Sequence, residues 1–167
     1  MKTSKLGIEL IKHYESLHDG DLTEIGLQPK MCPAGIWTEG YGHVILDERK
    51  KRIEGQDFYE KAKKFSKIKT EEEADNLLLE DLKRYEMIVT KNTHIVLKQH
   101  EFDALVSHTY NTGGSETLFE LVNNSSNESI ISWIKNKYIS ANGIKLRGLV
   151  LRRESEARLF ETGKLNF

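Results

Sequence analysis

One cysteine, Cys32, stands in 167 residues, which rules out a disulfide within the chain. Only two prolines occur, so there is no proline-rich linker to separate domains. No apolar run approaches the roughly 18 residues that a bilayer span requires. Charge of one sign is not in excess either. The formal net charge is −1, so bulk electrostatics select no polyanionic partner and give no support to nucleic-acid binding. The opening Met1-Lys2-Thr3-Ser4-Lys5-Leu6 is basic, but Glu9, Lys12 and His13 interrupt the residues after it. No signal-peptide core is read there. The expectation is synthesis in the cytosol, with no membrane insertion and with the protein kept there until something else releases it.

Several chemistries are also absent. Asp19-Gly20-Asp21-Leu22-Thr23 starts like a calcium loop, but the sixth position carries Glu24 rather than Gly and the twelfth carries Lys30 rather than Glu. The six histidines (13, 18, 43, 94, 100 and 108) have no zinc-ligand spacing. There is no phosphate-cradling glycine loop and no Gly-x-Ser-x-Gly elbow. No metal and no cofactor are expected.

What is present is ordinary globular composition, 38% hydrophobic and 31% charged, in a chain long enough for one domain with a real core. Local charge is uneven: nine Lys or Arg against three acids from Arg49 to Lys69, then seven acids against two bases from Glu71 to Glu86. Such runs read as solvated helix faces, with a basic rim toward an anionic surface as the alternative.

Helical periodicity opens the chain. Leu6, Leu10, Ile11 and Tyr14 share a face behind Thr3 or Ser4, and the helix should end near Glu15 to Leu17. His18 to Lys30 is polar and turn-rich. Ile36 to Leu46 is aromatic, β-branched and punctuated by glycine, which reads as a small antiparallel hairpin or three-stranded sheet. The rest reads as helix. Thr70-Glu71-Glu72-Glu73 is a capping box opening one to about Val89. Phe102 to Tyr110 is another, stopped by Gly113-Gly114. Leu118 to Val122, Ile130 to Tyr138 and Leu149 to Thr162 are three more. Segregated strands and helices predict an α+β fold. The expected organisation is a single domain with a β-rich lobe over about 16–65, a helical lobe of about 1–15 plus 66–167, and a ligand cleft between them.

Four segments, in order along the chain, carry a resemblance. Tyr14-Glu15-Ser16-Leu17 resembles the Phe-Glu-Gly-Leu that opens phage-type lysozymes (glycoside hydrolase family 24). Cys32-Pro33-Ala34-Gly35-Ile36-Trp37-Thr38-Glu39-Gly40-Tyr41-Gly42-His43 resembles that family's next motif, an Asp or Cys followed after five residues by Thr and then Gly-Tyr-Gly-His. Phe102 to Ser107 with Tyr110-Asn111-Thr112-Gly113 resembles its internal helix. Gly148 to Ala157 resembles its Gly-Leu-x-x-Arg-Arg-x-x-Glu segment.

The resemblance implies a lysozyme-like fold and an endolysin muramidase that hydrolyses the β-1,4 bond between N-acetylmuramic acid and N-acetylglucosamine in bacterial peptidoglycan. A monomer is expected. Glu15 is implied as the general acid. Cys32 and Thr38 are implied to position the attacking water, usually with inversion. Such chemistry needs a protonated acid at the leaving oxygen and a group holding water on the opposite face of the sugar. On its own Cys32 reads as a small buried residue, and Thr38 as a strand residue. Arg152 aligns with a family arginine that contacts the catalytic glutamate. His43 is expected to be structural, hydrogen-bonded near the junction of the lobes. Tyr110 and Asn111 are candidates for lining the cleft, since aromatic faces and amides suit sugar rings and N-acetyl groups. Trp37 and Trp133 read as core.

The chain departs from the family in three ways. Glu15 and Cys32 lie seventeen positions apart instead of nine, an insertion of about eight residues within Ser16 to Met31. That segment could be a surface loop, or it could bring Asp19 or Asp21 to the site as the water-binding carboxylate. Glu39 takes a place usually apolar; strand alternation should aim it away from the Thr38 side, which makes it a poorer base. The near-neutral charge differs from the basic character of many members. A non-catalytic peptidoglycan-binding module on the same scaffold, and an enzyme of the same fold for a chitin-type glycan, are the competing readings.

Overall fold

The computed structural model of the protein describes residues 1–141 and 143–167. Among these residues, seven α-helices and five short strands run in the order α1 Lys5–Glu15, β1 Lys30–Met31, β2 Trp37–Glu39, β3 His43–Val44, α2 Tyr59–Phe65, α3 Glu71–Asn92, α4 Gln99–Thr112, α5 Glu116–Asn124, α6 Asn127–Asn136, β4 Ser140–Ala141, β5 Ile144–Lys145 and α7 Arg147–Thr162. This is the α+β class that the sequence predicts. No helix among the described residues is long and apolar enough to cross a membrane.

Contacts divide the chain into two units, one of residues 1–14 and 82–167 and the other of residues 15–81. The divisions fall inside helices, between Tyr14 and Glu15 in α1 and between Asp81 and Leu82 in α3.

The unit of residues 15–81 is built around a three-stranded antiparallel sheet in the order β1-β2-β3. Lys30 pairs with Thr38 and Met31 with Trp37, while Thr38 pairs with Val44 and Glu39 with His43. The core is small. Trp37, Ile45, Ile53 and Ala62 are buried together, with Met31, Tyr59 and Phe65 against them. Trp37 is therefore a core residue, its indole N–H donating to the Gly55 carbonyl at 2.8 Å. Ile68 and Ala74 close over Gly40, which keeps the start of α3 with the sheet. The capping box at α3 forms as read: the Thr70 hydroxyl accepts from the Glu73 N–H at 3.2 Å and Glu73 accepts from the Thr70 N–H at 3.1 Å. The Lys69 N–H donates to the same Glu73 oxygen at 2.6 Å. That bond first, and then the Thr70 N–H, favour the charged form and hold the Glu73 carboxyl below its ordinary value.

The helical unit centres on α4, whose residues from Glu101 to Thr109 are all buried. It packs against α7, as does α6. Leu10 and Ile11 of α1 join Phe102, Leu105, Leu118, Ile130, Ile134, Leu159 and Phe160 in the core. A polar cluster is buried among them. Arg152 Nε donates to Glu156 Oε1 at 3.1 Å, Arg153 Nε lies 3.0 Å from Glu156 Oε2, and Ser107 donates to Glu156 Oε1 at 2.8 Å. One carboxylate serves two guanidiniums, so removing Glu156 would take the same buried counter-charge from both arginines.

Candidate active site

Glu15 is the last residue of α1, and the chain turns sharply at once, because Ser16 adopts a left-handed backbone (φ 59°). Glu15 is half-buried. One of its carboxylate oxygens lies against the main chain of the β2–β3 turn: a Cβ on Gly42 would sit 3.4 Å from Glu15 Oε2. Gly42 has φ 90°, a conformation that side chains resist, so glycine there serves both the turn and the approach of the acid.

Thr38 is in the middle strand, 4% exposed. Its hydroxyl donates to the Lys30 carbonyl at 2.8 Å. The same oxygen is 2.8 Å from Nδ1 of His18. His18 is also tied to the sheet by its backbone N–H, which donates to the Gly40 carbonyl at 2.8 Å. The imidazole thus stands beside both Thr38 and Glu15. Burial, and next the Lys30 ammonium, push its pKa below the ordinary 6.5; the Glu15 carboxylate and carbonyl pull it back by less.

Cys32 immediately follows β1 and is half-buried. Its N–H donates to the Ile36 carbonyl at 2.9 Å and its carbonyl accepts from Gly35 at 2.8 Å, closing the turn into β2. Antiparallel partners point to one face, and side chains alternate. Lys30 faces Thr38, so Cys32, two residues on, shares the Thr38 face about 7 Å along the ladder by the rise of one two-residue step. Glu15, Thr38 and Cys32 therefore belong to one small unit, with His18 among them.

Asp19 and Asp21 lie in the segment between Glu15 and Cys32, and both hold that segment together. Asp19 Oδ1 accepts from the Gln28 N–H at 3.1 Å. Asp21 Oδ1 accepts from the Thr23 hydroxyl at 2.6 Å and N–H at 3.0 Å, bonds that lower its pKa. Glu39 is 1% exposed and accepts from the Ser66 hydroxyl at 2.7 Å and the Lys67 N–H at 2.9 Å, so it anchors the chain after α2. His43 Nδ1 meets both Asp81 oxygens, at 2.9 and 3.0 Å.

The remaining candidates are in the helical unit. Tyr110 is half-buried, its ring 4.8 Å from that of Tyr85. Asn111 Oδ1 accepts from Arg153 at 2.9 Å. Arg152 is 3% exposed; besides Glu156 it reaches the Ser107 carbonyl at 3.3 Å and lies 5.8 Å over the Tyr14 ring. His18 is the site residue that sequence reasoning passed over. Its only mark is an imidazole three residues after the acid in an otherwise turn-like stretch.

Known proteins resemble the chain along its length. The endolysin of Acyrthosiphon pisum secondary endosymbiont phage 1 is 28% identical over 97% of this chain and 99% of its own. Among solved structures, the endolysin from Escherichia coli O157:H7 phage FAHEc1 superposes with a TM-score of 0.74 at 26% identity, covering 100% of this chain and 98% of that one. The muramidase domain of SpmX from Asticaccaulis excentricus gives 0.70 at 32% identity, covering 96% and 98%. The phage lysozyme family profile matches residues 23–156. A match over most of the chain, joined to homologues and solved structures of the same kind, places the protein in the phage lysozyme family.

Proposed function

We propose that the protein is an endolysin-type muramidase that cuts the β-1,4 bond between N-acetylmuramic acid and N-acetylglucosamine, with Glu15 as general acid and with Cys32 and Thr38 holding the attacking water. The observation that carries the assignment of roles is the placement of Glu15 against the Gly42 turn while the Thr38 hydroxyl is fixed on the adjacent strand by the Lys30 carbonyl. Glu15 gives its proton to the glycosidic oxygen as the bond from that oxygen to the anomeric carbon breaks. Water adds to the carbon and loses a proton through its hydrogen-bond partners to solvent. Thr38 and the Cys32 sulfur supply polar contacts for that water from one face of the sheet. The hydrogen bonds of Asp19 and Asp21 within their own turns support Cys32 over either acid in this role. Tyr110 and Asn111 offer an aromatic face and an amide suited to sugar rings and N-acetyl groups.

Peptidoglycan is the substrate that membership of this family implies. The reading includes action as a monomer, and a route across the host membrane through a holin-type hole made by another protein. The test is clearing of outer-membrane-permeabilised Gram-negative cells, with products identified by mass spectrometry. Wild type should clear them and leave muramic-acid reducing ends. Glu15→Gln should lose activity by about 10²–10⁴-fold while keeping its melting transition. A folded wild type that binds wall without cutting it would overturn the proposal.

A further inference from the structure

Between α6 and α7 the chain makes a second, two-stranded sheet, β4 against β5, with Gly143 at φ 77° just before β5. Ser140 pairs with Lys145 and Ala141 with Ile144. The Leu146 N–H donates to the Ile139 carbonyl at 2.9 Å, which continues the ladder by one pair. Antiparallel partners share a face, and side chains alternate along each strand. Ile139, Ala141, Ile144 and Leu146 therefore occupy one face, and Ser140 and Lys145 the other. An apolar face is ordinarily the side that an antiparallel sheet packs on a core. Here it is uncovered: Ile144 is 66% exposed, Leu146 is 41% exposed, and Ala141 is exposed as well. Two strands alone are marginally stable in water unless such a face is covered.

The charge around this hairpin is of one sign. From Ser129 to Arg153 there is neither Asp nor Glu, in a chain with 26 acids and a net charge of −1. Arg152 and Arg153 are buried against Glu156. The other four cations of the stretch, Lys135, Lys137, Lys145 and Arg147, are exposed, and none has an ion-pair partner among the described residues. Tyr138 just before the hairpin and Leu151 in the first turns of α7 add exposed apolar surface.

We propose that the β4–β5 hairpin docks the protein on an anionic phospholipid bilayer: its apolar face enters the boundary between headgroups and acyl chains, and Lys135, Lys137, Lys145 and Arg147 meet the lipid phosphates. Elements that lie in a membrane interface are built this way, with apolar side chains on one face and Lys or Arg on the other. Where the charges lie favours lipid over a protein partner. Lys145 is on the face opposite Ile144 and Leu146, so a protein that covered the apolar face would leave that ammonium in water. A headgroup layer surrounds the whole element. Burial by about 5–10 Å takes the apolar face into the boundary, while the long Lys and Arg side chains reach back to the phosphates. Each cation held near an anionic surface adds to the attraction, and no acid in the stretch opposes it. The hairpin and its flanks belong to the helical unit and carry no part of the hydrolysis proposed above.

The test is co-sedimentation of the full chain with vesicles of phosphatidylcholine alone and of phosphatidylcholine mixed with phosphatidylglycerol. The protein should bind the mixed vesicles at least about tenfold more tightly than the neutral ones, and added salt should shrink that difference. Lys145→Gln/Arg147→Gln should weaken binding to the mixed vesicles by about 10- to 30-fold, the effect of two surface cations. Ile144→Ser/Leu146→Ser should weaken it about tenfold with the net charge unchanged. Lys50→Gln/Lys51→Gln removes the same charge from an exposed turn between Leu46 and Arg52, and should bind as wild type does. Equal losses in the two charge variants, full binding by Ile144→Ser/Leu146→Ser, or no preference for anionic vesicles would each overturn the proposal. So would binding to purified teichoic acid with none to vesicles, or a dimer that Ile144→Ser/Leu146→Ser dissolves in sedimentation velocity. If a double variant fails to fold, the lipid-charge and salt dependence of wild type and the single change Ile144→Ser decide. All variants should hydrolyse soluble peptidoglycan oligomers as wild type does, so a failure at the vesicles leaves the muramidase reading standing, and an inactive wild type leaves the docking result standing.

Discussion

His108 makes stability depend on pH in a way the structure sizes. It lies in α4, fully buried, with its ring 5.7 Å from Trp133 and 5.5 Å from Tyr138. Thr112 spends its hydroxyl hydrogen on the His108 carbonyl at 2.9 Å and stands 3.4 Å from Nδ1; Nε2 has no hydrogen-bond partner among the described residues. Burial first, then Arg153 and Arg152, push its pKa from 6.5 down to about 3. In the unfolded chain the ring takes up a proton as pH drops below 6.5, and in the native protein it does not. Its contribution to stability is therefore complete above pH 6.5 and falls as pH drops toward 3. From pH 8 to pH 5 the loss is about 2 kcal/mol, at about 1.4 kcal/mol for each pH unit below the unfolded value. His18 contributes with the same sign, so the comparison needed is with His108→Phe, which keeps a ring in the pocket and removes the ionisable nitrogen. Urea unfolding at constant ionic strength should show wild type losing about 2 kcal/mol more than His108→Phe between pH 8 and pH 5. A constant difference between the two proteins across that range would refute the reasoning.

Three more outcomes are expected at single positions. Ser16 holds a left-handed backbone at φ 59° without being glycine, so Ser16→Gly should raise stability by about 0.5–1 kcal/mol, seen as a melting temperature a few degrees higher, with clearing activity retained. Gly42→Ala should cost about 1–2 kcal/mol in strain at φ 90° and crowd Glu15 Oε2; its activity should fall far more than its folded fraction, checked by assay at a temperature where circular dichroism shows it fully folded. Glu39→Gln should destabilise by about 1–3 kcal/mol, because one buried carboxylate oxygen serves both Ser66 and Lys67, and the folded variant should clear cells as wild type does.

What the sequence revealed of the fold was what local chemistry decides. The Thr70–Glu73 capping box and the apolar stripes at helical spacing located the long helices. Glycine and β-branched residues located the sheet. Helix α2 escaped notice because it has only seven residues, lies in the basic run, and fully buries only Ala62. The β4–β5 pair escaped for a related reason: its strands have two residues each, too few for alternation to mark them. At the site, Glu15, Cys32 and Thr38 came from motif resemblance, and strand register explains why the last two can share a face. His18 was illegible because its reach to Thr38 depends on a left-handed turn at Ser16 and a backbone bond to Gly40. Neither is encoded by residue type at that position. Glu39 was half legible: alternation separated it from Thr38, but nothing in the sequence named Ser66 and Lys67 as the groups that occupy it.

The long step from Glu15 to Cys32 raises the question of how a site tolerates about eight additional residues between the two groups. Both ends of the added stretch are held by the same strand. His18 bonds to Gly40 just after β2, and Lys30 pairs with Thr38 within it. Between those anchors the chain folds on itself: the Gly20 N–H donates to the Gln28 carbonyl at 3.1 Å and Asp19 accepts from the Gln28 N–H. Gly20 has no room for a side chain there, since a Cβ would meet the Pro29 carbonyl oxygen at 1.9 Å. Leu22 and Ile25 are left exposed at the tip, while the Leu27 N–H reaches the Lys69 carbonyl at 2.8 Å. Extra length is thus looped outward from two points whose separation the sheet sets. The entropic cost of such a loop grows only with the logarithm of its length. Spacing in the sequence can therefore change while spacing at the Thr38 face does not. The motif flanks, not the interval between them, carry the information about the site.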